Sequence, residues 1–542
     1  MSSVTERPRV SDPPPGRSDP ETDALFEEAR RLRRRRWLIG SSFFGFGVLV
    51  VGAVAAAMWL GGAGPSGLQR IERSGPAVDL SAMRSEGELA FVSRSELYLV
   101  DGRARTVHEI PVQPGWTALD PSFAHDGKWV AYETVDASGN GLDVWIARAD
   151  GADRHRIVGA TAMFGWSPSS DLLAISTDTR ARFPGGSTGY VPTRIDLVSP
   201  TGAPKRLVTL SGRNQASVAR GYRIWNAVWS PSGTALAVSL VSFTRGSMIR
   251  SYPINGGAAT TWFAINAKKA LPGVCTGCGG GGTIADLTGW WAKWGIGFWV
   301  FSSGADHNLD STPIELVHTP GATPHIIGQT LSDGTTVAAS ASPTGALAIV
   351  ASAGNAGRDY GAGKEIETCD LAHETCSPIP KATVWYGKNP LKCSSPCLPT
   401  SPPGKPGSAV TLDPAWSPTE NLLAYVKAPT AVNGGNPPVA WYAAHELFVY
   451  DPATHRSTKI AGIDGVSVPS WSTDGKSLLY VSGDALWLSP ATGGKPTEIA
   501  TPLFAPAEWL HPRFGVISYY GQIDWTGQFN WRSPKTRFPS HP

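Results

Sequence analysis

The sequence predicts an all-β fold, a β-propeller of four-stranded blades, preceded by a single N-terminal transmembrane helix. Three observations predict it. A strand–turn–strand phrase recurs seven times from Pro121 onward. A second strand phrase, ending in a Gly-, Pro- or Asp-rich turn, follows most copies. One uncharged apolar run, residues 37–60, precedes them all. Composition agrees: 61 Gly and 45 Pro among 542 residues imply many turns, and 41% hydrophobic residues can fill a large core. Charged residues make up 17% and the net charge is +3, which excludes a nucleic-acid binder working by bulk charge.

Residues 1–36 read as a cytoplasmic tail, first Pro/Ser/Asp-rich and disordered, then helical. Asp19 suits the N-cap and Pro20 the first helical position. The following ETDALFEEARRLRRRR places acids early and arginines late, matching the helix dipole. The run WLIGSSFFGFGVLVVGAVAAAMWL, 24 residues from Trp37 to Leu60, spans roughly 36 Å as a helix, enough for a bilayer core of about 30 Å. Trp37 and Trp59 mark its interfacial ends. Arg30, Arg31, Arg33, Arg34, Arg35 and Arg36 precede it, and no charge follows before Arg70, so the N-terminus is expected in the cytoplasm and the rest outside. A buried core helix would carry a polar stripe. A cleaved signal peptide would find small residues at Ala55-Ala56-Ala57, but 36 residues precede the apolar run. The expectation is an uncleaved cell-membrane anchor, followed by a linker over 61–82 and an extracytoplasmic propeller over 83–525. Residues 526–542 are expected to be a C-terminal tail.

The blades rest on internal repetition. The phrase reads PSFAHDGKWVAYET (121–134), FGWSPSSDLLAIST (164–177), AVWSPSGTALAVSL (227–240), GWWAKWGIGFWVFS (289–302), AASASPTGALAIVA (338–351), PAWSPTENLLAYVK (414–427) and PSWSTDGKSLLYVS (469–482). Each copy is a strand ending near an aromatic, a tight polar turn, and an alternating apolar strand. A third strand and its turn follow, as in RIDLVSPTG, ELFVYDPAT and ALWLSPATGG, then a short fourth strand. Such sheets have no helix to cover them, so they must bury their faces on one another in a closed ring. Trp166, Trp229, Trp416 and Trp471 are expected to pack between blades. Partial units at 87–110 and 503–510 (LFAPAEWL) would complete one blade together, giving eight; seven is the alternative if 289–327 is not a full blade.

These phrases resemble TolB-like, WD-type β-propeller repeats, whose pattern is an aromatic, Ser-Pro-Asp-Gly, then an apolar strand. The resemblance covers roughly residues 85–510, and Ser472-Thr473-Asp474-Gly475 comes nearest to the pattern. It implies the fold and no particular activity. TolB is a soluble periplasmic protein with a separate N-terminal α/β domain that has no counterpart here, so no role in that system is implied.

Within a blade, turns alternate between two faces. The first-to-second and third-to-fourth turns are short. The long insertions fall on the other face: 177–193, 211–224, 268–287, 303–313, 353–364, 381–411 and 427–443. Long loops on a rigid scaffold are a usual place for binding, whereas neutral drift would decorate both faces. Candidate ligand-face residues are Arg180, Arg182, Tyr190, Arg220, Tyr222, Arg223, Arg358, Tyr360, Trp385, Tyr386, Trp441 and Tyr442, against the plainer reading of solvated loop side chains. Asp120 and Asp413 occupy matching places before a Pro and are candidates to line the channel, turn duty being the competing role. Cysteines fall in three close pairs, Cys275/Cys278, Cys369/Cys376 and Cys393/Cys397, which outside the cytoplasm would be local disulfides. A zinc site from Cys275, Cys278, Cys393 and Cys397 is the alternative.

Catalytic motifs are weak. Gly185-Gly186-Ser187-Thr188-Gly189 matches G-x-S-x-G but sits between strands rather than on a strand-to-helix turn. No phosphate loop or zinc-protease motif occurs. The sequence therefore points to a binding or scaffold module for a protein, peptide or cell-envelope polymer, with no catalytic residue, metal, cofactor or nucleic acid. The alternative is an envelope-polymer hydrolase or lyase with its site at the channel mouth.

Overall fold

The structure is a computed structural model. It describes residues 75–136, 142–182, 188–210, 221–242, 245–266, 283–302, 311–331, 340–342, 346–352, 364–370, 373, 375–379, 410–428, 443–460, 465–503, 516–517, 523–524 and 527–533. The tail and the apolar run 37–60 lie outside these residues. Among the described residues no helix is long and apolar enough to cross a membrane.

Among the described residues, eight antiparallel sheets of at least four strands make the propeller. From innermost strand outward, blade 1 is Phe529–Arg532, Glu88–Ser93, Glu96–Asp101 and Thr106–Ile110. Blade 2 is Trp116–Phe123, Trp129–Asp136, Leu142–Arg148 and His155–Ile157. Blade 3 is Ala160–Trp166, Leu173–Arg182, Thr188–Val198 and Lys205–Thr209. Blade 4 is Arg223–Trp229, Ala235–Ser242, Gly246–Pro253 and Thr260–Ile265, and blade 5 is Thr283–Trp291, Gly295–Ser302, Ser311–Val317 and His325–Leu331. Blade 6 is Ser340–Ala341, Ala346–Ser352, Lys364–Asp370 and Thr375–Pro378. Blade 7 is Val410–Trp416, Leu423–Ala428, Glu446–Asp451 and Arg456–Lys459. Blade 8 is Val466–Trp471, Ser477–Ser482, Ala485–Pro490 and Thr497–Thr501, with Ala77–Val78 added outside as a fifth strand.

Two boundaries differ from the sequence expectation. The ring is closed by Phe529–Arg532, paired with Glu88–Phe91, and not by residues 503–510. The propeller therefore extends past residue 525, and Ala77–Val78 brings its other end forward of residue 83. Residues 504–510 lie outside the described residues. The physical reason is that residues 529–532 satisfy the inner edge of the first blade from the far end of the ring, which leaves no bare strand edge there.

The core is a ring of interfaces rather than one centre. Ala90, Val92, Leu97 and Leu99 of blade 1 pack on Ala118, Phe123, Val130 and Tyr132 of blade 2. Ala131, Val144 and Ile146 of blade 2 meet Trp166, Leu173 and Ile175 of blade 3. Equivalent clusters join blades 3 and 4, 4 and 5, and 6 and 7. A single larger cluster runs from blade 7 through blade 8 into Leu89, Phe91 and Tyr98 of blade 1, so the seam of the ring is as apolar as its other joints. Alternating apolar residues on both faces of each middle strand are what such a stack requires.

Trp166, Trp229 and Trp471 end their inner strands and do more than fill space. Trp166 Nε1–H donates to the Ser122 carbonyl at 2.9 Å, Trp229 to Gly165 at 2.9 Å and Trp471 to Ala415 at 2.8 Å. The acceptor is each time the residue preceding the equivalent aromatic of the blade before. Trp416 is buried at the joint of blades 6 and 7. All four lie between blades, as the sequence predicts.

Candidate functional site

The two faces of the disc have different chemistry. On one, apart from the nine residues 79–87 that lead from blade 8 into blade 1, no described connection exceeds the seven residues 318–324. The other carries every connection longer than nine residues, up to the 379–409 connection between blades 6 and 7.

The short-turn face is stitched shut. In the Trp-Ser-x-x-Gly turns, Ser230 Oγ accepts from Thr234 N and Ala235 N, and Ser472 Oγ from Lys476 N and Ser477 N. The turns also hold one another. Asp126 N donates to Asp171 Oδ1 at 2.9 Å, Ser169 Oγ to the Ser232 carbonyl at 2.8 Å, and Thr473 N to Ser533 Oγ at 2.5 Å. Gly233 explains the glycine of the phrase: its φ is +68°, and a Cβ there would lie 2.1 Å from Ser169 Oγ of the neighbouring turn. Trp531, opposite Leu89 as Trp471 is opposite Leu478, holds the aromatic position in blade 1, and Arg532 follows it where most other blades carry the turn serine. Its Nη1 meets Glu88 Oε2 at 2.6 Å and its Nη2 reaches the His125 carbonyl of blade 2 at 3.5 Å. Burial still raises the Glu88 carboxyl above its usual range, against the pull of Arg532.

Asp120 and Asp413 lie at equivalent bulges in the innermost strands of blades 2 and 7, between Leu119 and Ser122 and between Leu412 and Ala415. Both have left-handed backbones, φ 54° and 50°. Asp413 Oδ2 accepts from Val468 N in blade 8 at 3.0 Å, and Asp120 N donates to the Gly527 carbonyl at 2.8 Å. Asp tolerates positive φ better than most residues, which accounts for its presence there. These aspartates do inter-blade work near the axis. Asn226, at the bulge of blade 4, makes a similar link that the sequence did not reveal: its Nδ2 donates to Asp286 Oδ1 at 2.9 Å and to the Leu287 carbonyl at 3.1 Å. Its only sequence signal is the matching position in the repeat.

On the long-loop face, residues 177–193 are not the loop expected from their Gly/Pro content. Leu173–Arg182 and Thr188–Val198 continue as a hairpin, with Arg180 opposite Tyr190 and Arg182 opposite Thr188. Thr177 and Thr179 on one strand and Thr188, Val191 and Thr193 on the other favour this extension. Tyr222 packs on the blade 3–blade 4 cluster. Arg223 begins the inner strand of blade 4 and is only 4% exposed, so its side chain belongs to the interior. Arg220, Arg358, Tyr360, Trp385, Tyr386, Trp441, Tyr442, Cys275, Cys278, Cys393 and Cys397 lie outside the described residues. Cys369 and Cys376 are direct cross-strand partners in blade 6.

Among the described residues no group of three or more His, Cys, Asp or Glu could hold a metal ion. The most perturbed carboxyl is Glu315, in the third strand of blade 5, pushed up to about 7 by burial.

No family model matches the chain, and no curated protein does either. Solved structures do. A prolyl endopeptidase is 13% identical with TM-score 0.40 over 86% of this chain, which spans 60% of that enzyme's length. An oligogalacturonate lyase from Vibrio parahaemolyticus is 11% identical with TM-score 0.37, over 77% of this chain and 98% of that one. TolB from Acinetobacter baumannii is 14% identical with TM-score 0.30, over 54% and 62%. At such identities the likeness carries nothing about activity, and the propeller stands on its own strand pairing.

Proposed function

We propose that the chain is a membrane-anchored, extracytoplasmic propeller that acts as a binding or scaffold module, receiving a protein, a peptide or a cell-envelope polymer on its long-loop face. The observation that carries this reading is the asymmetry of the faces. Neighbouring short turns are hydrogen-bonded to one another through Asp126, Ser169 and Thr473, whereas every connection longer than nine residues is on the opposite side. The outside location is supported by the charge asymmetry around residues 37–60 and by Cys369, which is disulfide-bonded and whose register partner is Cys376. The engagement of Asp413 with the Val468 amide supports joint duty for this residue over a hydrolytic role.

The test is photocrosslinking in intact cells from Arg245, an exposed residue on the long-loop face, and from Glu420, an exposed residue of a short turn. A partner captured from position 245 and not from 420 is expected. Preferential capture from position 420 would overturn the face assignment.

A further inference from the structure

Blade 5 departs from the repeat where its first two strands meet. Its turn reads Trp290-Trp291-Ala292-Lys293-Trp294-Gly295, with Trp291 where blade 4 carries Ser230 and no serine to cap it. Trp290 lies opposite Ile296 as Trp229 lies opposite Leu236, so it holds the aromatic position. It packs on the joint of blades 4 and 5, its ring at 72° to that of Trp262 and the centroids 5.3 Å apart. At the same position in other blades the indoles of Trp166, Trp229, Trp471 and Trp531 each donate to a backbone carbonyl. The indole N–H groups of Trp290, Trp291 and Trp294 donate no hydrogen bond among the described residues.

Two glycines seat the ring of Trp291. Gly289 and Gly297 are direct cross-strand partners. A Cβ at Gly289 would lie 2.9 Å from Trp291 Cζ2, and one at Gly297 would lie closer still to the same ring. The half-buried indole therefore lies flat along its own sheet, and the exposure that remains belongs to its outer face and rim. Trp294 is half-buried too, with Lys293 Nζ 4.5 Å from its ring centroid. Lys293 is exposed and pairs with no carboxylate among the described residues. The charge around it is one-sided. The short turns 230–234 and 254–259 of blade 4 and 292–294 and 318–324 of blade 5 contain no Asp or Glu, whereas the first turns of blades 2, 3, 7 and 8 contain Asp126, Asp171, Glu420 and Asp474.

Fixed aromatic faces, uncommitted indole donors and a lysine in an acid-free sector are the chemistry that holds a charged sugar. The C–H face of a pyranose stacks on an indole, its hydroxyls accept from indole N–H groups, and a carboxylate meets an ammonium. Lys293 stands two residues from Trp291, so one sugar has to supply both the C–H face and the anion. A uronate does so, because its carboxylate is borne on the ring. We propose that the blade 5 turn is a second ligand site, on the short-turn face, for a glycan built of uronate residues. The site goes beyond the reading above and depends neither on the long-loop face nor on the anchor. Two other occupants fit less well. A bilayer takes tryptophans that project from a turn, whereas Trp290 is wedged at a blade joint and Trp291 lies against its own sheet. A stable protein interface needs about 800 Å² per partner, more than one short turn offers.

The test is saturation-transfer NMR on the full-length chain in phosphatidylcholine nanodiscs. The probes are hexasaccharides of alginate, hyaluronan and polygalacturonate, and the same oligomers with their carboxyls reduced to alcohols. At least one uronate oligomer is expected to bind, with the strongest transfer at its ring C–H protons, and its reduced form to bind about tenfold more weakly. Lys293→Gln changes an exposed residue and should weaken the uronate oligomer by that same factor while leaving the reduced one unchanged. Trp291→Ala should abolish transfer to both; if thermal melting shows that variant unfolded, Lys293→Gln decides alone. No binding across the panel, or binding that survives Lys293→Gln at full strength, overturns the proposal. So do lipid adducts from benzoylphenylalanine placed at Ala292 in the same discs, which would make the turn a bilayer contact.

Discussion

Glu315→Gln should stabilise the propeller at pH 8 and leave it unchanged near pH 4.5. Glu315 lies in the third strand of blade 5, directly opposite Phe298 and Ile326, and is 3% exposed. Burial alone pushes its carboxyl from 4.5 up to about 7. Below pH 4.5 the group is protonated whether the chain is folded or not, and it contributes nothing to pH dependence. Between 4.5 and about 7 the unfolded chain releases the proton while the folded one keeps it, so stability falls by about 1.4 kcal/mol per pH unit. Above 7 the loss is complete, at about 3 kcal/mol for a shift of this size. Glutamine keeps the shape and cannot ionise, so it should recover that amount at pH 8. For a ring of this size 3 kcal/mol corresponds to about 3–4 °C in Tm. Thermal melting of both proteins at pH 4.5, 6 and 8 measures it. A shift equal at all three values, or a lower Tm for the variant at pH 8, would refute the reasoning.

Other perturbations follow from the joints between blades. Trp471→Phe keeps the ring but leaves the Ala415 carbonyl without its indole donor, which should cost about 1–2 kcal/mol in urea titration. Asp413→Ala loses the bond to the Val468 amide and places alanine at φ 50°, for a loss of about 2–3 kcal/mol; Asp413→Asn should restore most of it, because asparagine accepts the same bond and tolerates that backbone. Removal of residues 526–542 strips blade 1 of its inner strand, and limited proteolysis should then cut within residues 88–110 under conditions that leave the full chain intact.

The blades were legible because the information that builds them is local. The copy from Trp229 to Thr234 carries its aromatic latch, serine cap and left-handed glycine within six residues, and the one from Trp471 repeats all three. The closing strand was not legible, because its partner strand begins 444 residues away along the chain from the arginine that meets it. Phe529–Arg532 has no turn phrase after it, and LFAPAEWL offers a more apolar stretch nearby. The blade 3 hairpin was hidden by its composition: Gly, Pro and Arg read as loop, while the pairing that makes it a ribbon is visible only in register. Asp120 and Asp413 could be matched to each other from the repeat, but nothing in an aspartate's neighbours announces a positive φ or an acceptor facing the next blade.

The seam at Glu88 and Arg532 has a consequence for how the molecule comes into being. Synthesis must pass residue 532 before the first-made blade can be completed, so every shorter product is an open arc with two sticky ends. Such arcs can pair end to end with their copies, and contacts this distant in sequence form slowly. Only a chain that reaches residue 532 can therefore pair Glu88–Phe91 with its own inner strand and close the ring.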